Sequence, residues 1–315
     1  SGCEYCFMEV SSHSLNQKRV EGLNFSGAVF TNLTNDHLDY HNTFSEYRDV
    51  KKSFFDYLDK NAFALINKDD KNGKKMLEGT KANKLTYALK SMADYSCKLV
   101  EGHFDGMHLK INNLDVWVKL IGEFNAYNLL AVYAVAKQFD FEDSEILTAL
   151  SVLKSAEGRF QFVKNQNSIT GIVDYAHTED ALKNVLVTIN KLKSSSQQLI
   201  TIIGCGGNRD KTKRPMMAKV ACNLSSLVVI TSDNPRFEKP ENIIKDMVSG
   251  LNNDQMKKVI SISNRRQAIM AAGKLANYND IILLAGKGHE KYQEINGKKS
   301  SFDDIKELKK SLNII

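Results

Sequence analysis

Proline is scarce in this sequence: three residues in 315, at Pro215, Pro235 and Pro240. Two of the three fall in one stretch, ITSDNPRFEKP (Ile230 to Pro240). Cysteine is also sparse, and its number is odd: Cys3, Cys6, Cys97, Cys205 and Cys222. That argues against a disulfide framework and for a reducing compartment. Cys3-x-x-Cys6 is half of a zinc pattern, with no second Cys/His pair of matching spacing. No apolar run approaches the ~20 residues of a membrane helix, so no membrane insertion is expected. No signal peptide is visible. Lysine and arginine form no block, which argues against a nucleic-acid partner. The net charge is mild, 43 − 37 = +6; it fits a solvated surface or an anionic substrate. The chain opens Ser-Gly-Cys with no initiator Met and is expected to be a fragment.

What is present is an alternation of short apolar runs and helical patterns. Strands are expected at residues 5–10, 27–32 and 62–67, with a helix over 44–58 between the second and third. Several β-like pieces from Leu85 to Val118 predict an antiparallel patch. Helices are expected over 123–139 and 143–153. Gly158-Arg159 opens a second series. Its expected strands are 160–164, 169–174, 199–204, 227–231 and 281–285. Its expected helices are 180–192, 241–251, 265–276 and 303–312. Strands alternating with helices give βαβ units and a mostly parallel sheet. The expected class is therefore α/β, with two domains, 1–157 and 158–315.

Chemistry gathers where apolar runs end. The run Leu227 to Ile230 stops at Asp233-Asn234-Pro235-Arg236. Proline fixes its own φ and steers the residue before it away from helix, so this is a rigid turn holding Arg236. Ligands of open α/β sheets bind at such strand ends. GCGGNRDKTKRP (Gly204 to Pro215) follows another run and suits an anion, because glycine lets backbone amides approach closely. It matches neither G-x-G-x-x-G nor G-x-x-x-x-G-K-[ST]. AGKGHEKYQ (Ala285 to Gln293) adds Gly286, Lys287, His289 and Glu290. Arg209, Arg236 and Glu290 together make two cationic groups and one anionic group. That set suits an amino acid carrying a second amino-acid end. VDYAHTEDAL (Val173 to Leu182) ends a further strand in Asp174.

The first half has three such places. Glu9 stands in an apparent strand, where a carboxylate needs a cation or metal partner. Ser11, His13, Gln17 and Arg19 follow on a polar loop. His37 and His41 are four apart, as in zinc hydrolases, but the H-E-x-x-H glutamate is replaced by Leu38. One histidine with Glu9 better suits Mg²⁺. Asn125 and Asn128 open a helix, either as caps or beside a nucleotide.

Six stretches in order, MEVSSH, FTNLTNDHLDYH, VDYAHTEDAL, GCGGNRDKTKRP, TSDNPR and AGKGHEKYQ, run from Met8 to Gln293. In these the chain resembles the Mur ligase family of peptidoglycan synthesis, and within it the branch that adds meso-diaminopimelate. The resemblance implies ATP-dependent amide formation on UDP-MurNAc-L-Ala-D-Glu through an acyl phosphate. It implies a partial central P-loop-type ATPase-like domain and a C-terminal Rossmann-like domain, in a cytoplasmic monomer. By the same resemblance, Glu9, His37 and a carbamylated Lys51 hold Mg²⁺ and serve catalysis. Ser11, Gln17 and Arg19 contact the UDP-linked substrate. Asn125, Asn128, Arg159 and Asp174 lie on the ATP side. Arg209, Asp233, Asn234, Pro235, Arg236, Gly286 and Glu290 bind diaminopimelate.

The family also has a G-x-x-G-K-[ST] phosphate loop on the first strand of its central sheet, upstream of MEVSSH, and an N-terminal uridine-holding domain. Neither occurs in these 315 residues. They are therefore expected not to turn over ATP alone. The alternatives are a relative that adds another amino acid, against which Asp233-Asn234-Pro235-Arg236 argues, a non-catalytic module that binds an amino acid or muramoyl peptide, and a metallohydrolase built on His37 and His41.

Overall fold

The computed structural model describes residues 2–34 and 40–314. The chain parts into two compact units, Ser1–Leu153 and Lys154–Ile315.

The first unit holds a six-stranded sheet, β1 (Gly27–Phe30), β2 (Phe63–Asn67), β3 (Asn83–Ala88), β4 (Tyr95–His103), β5 (Gly106–Ile111) and β6 (Leu114–Val118), in that spatial order. β1 to β4 run parallel. β4, β5 and β6 form an antiparallel meander. The expected antiparallel patch thus begins at β4, not at Leu85, because β3 joins β4 in parallel through Tyr87 and Ala88. β6 shows period-two burial, with Val116 and Val118 inward and Trp117 exposed. The helices are α1 (Ser12–Asn16), α2 (Phe44–Asp56), α3 (Gly73–Met76), α4 (Glu123–Lys137) and α5 (Asp143–Val152). Thr43 caps α2 by accepting from the Glu46 amide. Leu129, Leu130 and Ala134 of α4 pack into one core with Leu65, Tyr87, Leu109 and Ile111.

Residues 5–10 are not a strand. They pair with no other strand, and Tyr5, Phe7 and Met8 are exposed. The reason lies in the sheet: among the described residues β1 is its edge, bonded only to β2. An apolar run without a ladder partner stays extended but unpaired. With Val29 and the Val132 and Val135 side of α4, Tyr5 and Phe7 line an apolar groove of about 450 Å³, closed by Phe139 and Phe141. The polar loop expected after Glu9 is instead helix α1, capped by Ser11, which accepts from the Ser14 amide.

The second unit is a sheet of β7 (Gln161–Lys164), β8 (Thr170–Asp174), β9 (Leu199–Ile203), β10 (Leu227–Ile230), β11 (Val259–Ser261) and β12 (Ile281–Ala285), in the order β11-β10-β9-β12-β8-β7. Only β7 is antiparallel to its neighbour. β8, β9 and β12 are buried along their whole length, as strands covered on both faces must be. Helices α6 (Glu179–Leu192), α7 (Lys213–Leu224), α8 (Pro240–Val248), α9 (Asn253–Met256), α10 (Arg265–Leu275) and α11 (Asp304–Ser311) complete it, with the hairpin β13 (Tyr292–Ile295) and β14 (Lys298–Ser301).

Sequence reasoning did not expect α7, α9, β11 or the hairpin. α7 starts inside a basic, proline-bearing stretch. Pro215 sits in its first turn, where the missing N–H has no intrahelical acceptor to lose. The hairpin signal was Asn296-Gly297, both at positive φ (49° and 73°) as a tight turn demands.

Candidate functional site

The direction of strand order changes between β9 and β12. From β9 the chain steps outward through β10 and β11, then returns with β12 on the other side of β9. At such a switch point the loops leaving the strands diverge and open a crevice at their C-terminal ends. Three loops flank it: 204–210 after β9, 231–236 after β10 and 286–290 after β12.

The loop after β10 is held rigidly. Thr231, Ser232, Asp233 and Asn234 are all buried. Asn234 donates from Nδ2 to Glu290 Oε2 at 2.7 Å. Its Oδ1 accepts from Lys287 Nζ at 3.1 Å and from the Glu294 amide at 3.0 Å. Its backbone carbonyl accepts from the Gly207 amide at 2.9 Å. Gly207 has no room for a side chain, since a Cβ there would lie 1.9 Å from the Pro235 carbonyl oxygen.

Arg236 has φ of +51°, in the left-handed region. Both its backbone groups bond the hairpin, at Glu294 O and Asn296 N. The side chain bonds Gly207 O at 2.8 Å through Nη1 and lies 3.7 Å from Glu294 Oε2 through Nε. Arg209 is exposed; its Cγ and Arg236 Nη1 both flank Gly206. The structure thus gathers Arg209, Asn234, Pro235, Arg236 and Glu290 around one crevice. A Cβ at Gly286, which sits at φ +116°, would lie 2.9 Å from the Asp233 carboxylate.

Sequence reasoning assigned no role to two buried cations near this crevice. Lys287 is fully buried, its Nζ 3.0 Å from Glu290 Oε2 and 3.5 Å from Asp233 Oδ1. Arg265 makes a bidentate pair with Asp304, both fully buried. A lysine in a glycine turn reads as solvated, and nothing in its neighbours announces burial.

Asp174 is buried, and both its oxygens are taken by backbone amides, Phe160 at 2.7 Å and Ala176 at 2.8 Å. Burial pushes its carboxyl above the usual range, against those hydrogen bonds. It therefore fixes the turn that carries Arg159, whose guanidinium lies 4.8 Å from the centre of the Tyr175 ring. His177 and His289 also pack on that ring.

In the first unit, Lys51 is half-buried. Burial pulls its amine below the ordinary lysine range, and the Glu9 carboxylate works the other way. Glu9 is exposed rather than buried in a strand. His37, with Asp36 and Asp39, lies outside the described residues. His41 is buried, 2.9 Å from Ser12 Oγ through Nε2 and stacked on Tyr47, so it serves the core. Gln17 donates to Tyr40 Oη at 3.4 Å, as does Asn16 at 3.0 Å. These bonds, with a smaller contribution from the Arg19 charge, hold the Tyr40 phenol below its usual range. Ser11 caps the same short helix. Asn125 and Asn128 are not caps. Gly122 takes that position at φ +96°, while Asn125 reaches back to Ile121 O at 2.8 Å and accepts from Asn128.

Among the described residues, no three His, Cys, Asp or Glu side chains cluster as a metal site, and no helix is long and apolar enough to cross a membrane. Glu9 offers a carboxylate beside Lys51. Of the expected Mg²⁺ set, Glu9 is the oxygen donor among the described residues, and an unmodified Lys51 amine is not a ligand that Mg²⁺ prefers.

Residues 1–136 match the Mur ligase middle domain, and residues 158–288 match the Mur ligase, glutamate ligase domain. The UDP-N-acetylmuramoyl-L-alanyl-D-glutamate–2,6-diaminopimelate ligase of Parabacteroides distasonis is 54% identical over 98% of this chain and 64% of its own length. That of Halalkalibacterium halodurans is 40% identical over 96% of this chain and 63% of its own. A solved structure of a ligase with the same activity, 36% identical, superposes with a TM-score of 0.62 over 97% of this chain and 63% of its own. A Mur ligase from Thermotoga maritima in complex with ADP, at 14% identity and a TM-score of 0.68, shares the fold over 97% of this chain and 66% of its own. The chain spans just under two thirds of the length of the curated relatives it matches. With both domain matches in order along one chain, and sheets that superpose on solved relatives, the chain belongs to the Mur ligase family.

Proposed function

We propose that the protein of which these residues are part is an ATP-dependent ligase that adds meso-diaminopimelate to UDP-MurNAc-L-Ala-D-Glu in peptidoglycan precursor synthesis. The observation behind this reading is the crevice where Arg236, Asn234 and Glu290 converge. ATP would supply the phosphoryl group that converts the D-Glu side-chain carboxylate into an acyl phosphate, which the diaminopimelate amine attacks with loss of phosphate.

The chain's own residues then bind and orient. Arg236 and Arg209 grip the carboxylate of the distal amino-acid end, since arginine pairs with carboxylates through two parallel hydrogen bonds. Glu290 and the Gly286 backbone hold the neighbouring ammonium, and Asp233 and Pro235 keep that loop in place. Ser11, Gln17 and Arg19 contact the UDP-linked substrate. Asn125, Asn128 and Arg159 face ATP, with Asp174 fixing the Arg159 turn. Glu9, His37 and carbamylated Lys51 would hold Mg²⁺, which neutralises phosphate charge when bound. The depressed Lys51 amine supports carbamylation, because the neutral form is the one that reacts with carbon dioxide. A reaction using ATP and a nucleotide-linked precursor belongs in the cytoplasm.

The test is calorimetric titration of the 315-residue chain with meso-diaminopimelate and with L-lysine, which lacks the distal carboxylate. Diaminopimelate should bind at least roughly tenfold tighter, the value of one charged hydrogen bond. Equal affinities, or no binding of diaminopimelate, would overturn the reading. The same chain contains no G-x-x-G-K-[ST] sequence and should show no ATP-dependent ligation. On the alternative, a non-catalytic binding module, a protein carrying every residue of the native gene would show none either.

A further inference from the structure

Lys287 lies at the end of β12 between two glycines at positive φ, Gly286 at +116° and Gly288 at +50°. That backbone turns its side chain inward, and it is fully buried. A buried ammonium must find partners, and here it finds three: Asn234 Oδ1 at 3.1 Å, Glu290 Oε2 at 3.0 Å and Asp233 Oδ1 at 3.5 Å. The Tyr292 ring lies 5.6 Å away on another side. Asn234 Nδ2 donates to the same Glu290 oxygen at 2.7 Å. Glu290 Oε2 is therefore held by two donors from two loops, while Oε1 accepts from no protein donor among the described residues.

Charge follows the same arrangement. Asp233 and Glu290 bring two negative charges to this corner and Lys287 one positive. Arg265, the other buried cation nearby, is committed to Asp304. Arg236 lies toward Glu294 on the hairpin side. One negative charge is left over, shared between the two carboxylates: Asp233 keeps only the longer contact to Lys287, and Glu290 keeps one oxygen without a protein donor among the described residues.

We propose that Lys287 is a positioning residue for amino-acid recognition: it locks the Glu290 carboxylate so that Oε1 faces the ligand's ammonium, and it limits the corner to a single net negative charge. The inference rests on the reading of the crevice as the diaminopimelate site. Lys287 touches no ligand; it acts through Glu290 and Asn234. Without it, Glu290 would rotate, and two carboxylates would face each other with no cation between them.

A double-mutant cycle on the 315-residue chain tests this, with meso-diaminopimelate affinity read by calorimetry for the parent, Lys287→Met, Glu290→Gln and the double variant. Lys287→Met should bind roughly 10- to 100-fold more weakly, the range of a hydrogen bond to a charged group. In the Glu290→Gln background the same change should cost less than about threefold, because the group it positions is already altered. Equal costs in the two backgrounds would overturn the proposal and leave Lys287 a plain tie between loops. Parent-like binding by Lys287→Met would overturn it too. If Lys287→Met fails to fold by circular dichroism, Lys287→Gln keeps a polar group at the site and is run through the same cycle. Failure of the parent to bind diaminopimelate would instead sink the assignment of the crevice itself.

Discussion

Arg236 adopts a conformation that most side chains avoid, at φ +51°. A left-handed backbone costs a non-glycine residue about 1–2 kcal/mol, and here the hairpin holds it in place through Glu294 O and Asn296 N. Strain that the surroundings maintain commonly marks a functional position. Arg236→Ala should keep the fold and lower the preference for diaminopimelate over lysine by about tenfold or more, read as the ratio of kcat/KM values in the full-length enzyme. An unchanged ratio would count against Arg236 as the carboxylate grip. The position of this residue was legible: two of three prolines cluster around it, directly after an apolar run. Its left-handed backbone was not, because φ there is imposed by a hairpin that lies some sixty residues further along the chain. Lys287 was less legible still. Two of its three acceptors, Asn234 and Asp233, come from another loop, and no local pattern encodes them.

The loop after β9 and the start of α8 are tied together by one helix, α7. Its Arg214 is fully buried and forms paired bonds to Glu238 at 2.9 Å, a bond to Asp246 at 2.8 Å and a longer one to Gly206 O at 3.3 Å. Hydrogen bonding to Arg214 holds the Glu238 carboxyl down at about 2, from an ordinary 4.5. A depressed carboxylate stabilises the fold above its unfolded value and loses that contribution as pH falls through the folded value. Acid should therefore weaken the second unit between pH 4.5 and about 2. Glu238→Gln should flatten the stability profile in that window while lowering stability at pH 7, as denaturant melts at pH 7 and pH 3 will show. Parallel profiles for the two proteins would remove Glu238 from the account. The Arg214–Glu238 pair, like α7 itself, was hidden by a basic run with a proline in it. The expected strands β8, β9, β10 and β12 were plain, because strands buried on both faces write themselves as unbroken apolar runs.

On the scale of the molecule, the alternation of strand and helix announced two α/β units, and each has a core of its own. The misread segment, residues 5–10, shows where that reasoning stops. Its composition is that of a strand, yet strandhood needs a neighbour, and the neighbour is a property of the sheet rather than of the run. Among the described residues no strand pairs with the outer edge of β1, and the groove lined by Tyr5 and Phe7 is open. This has a practical outcome at the bench. A solvatochromic dye such as anilinonaphthalene sulfonate should light up on the fully folded chain at room temperature, as it does on partly unfolded proteins. Val132→Glu, on the exposed side of α4, should quench that glow with little change in the circular-dichroism melting point. A dark parent chain would mean the groove is closed in solution. If it glows, dye-monitored melting curves will start from a bright baseline and misreport the folded state as damaged.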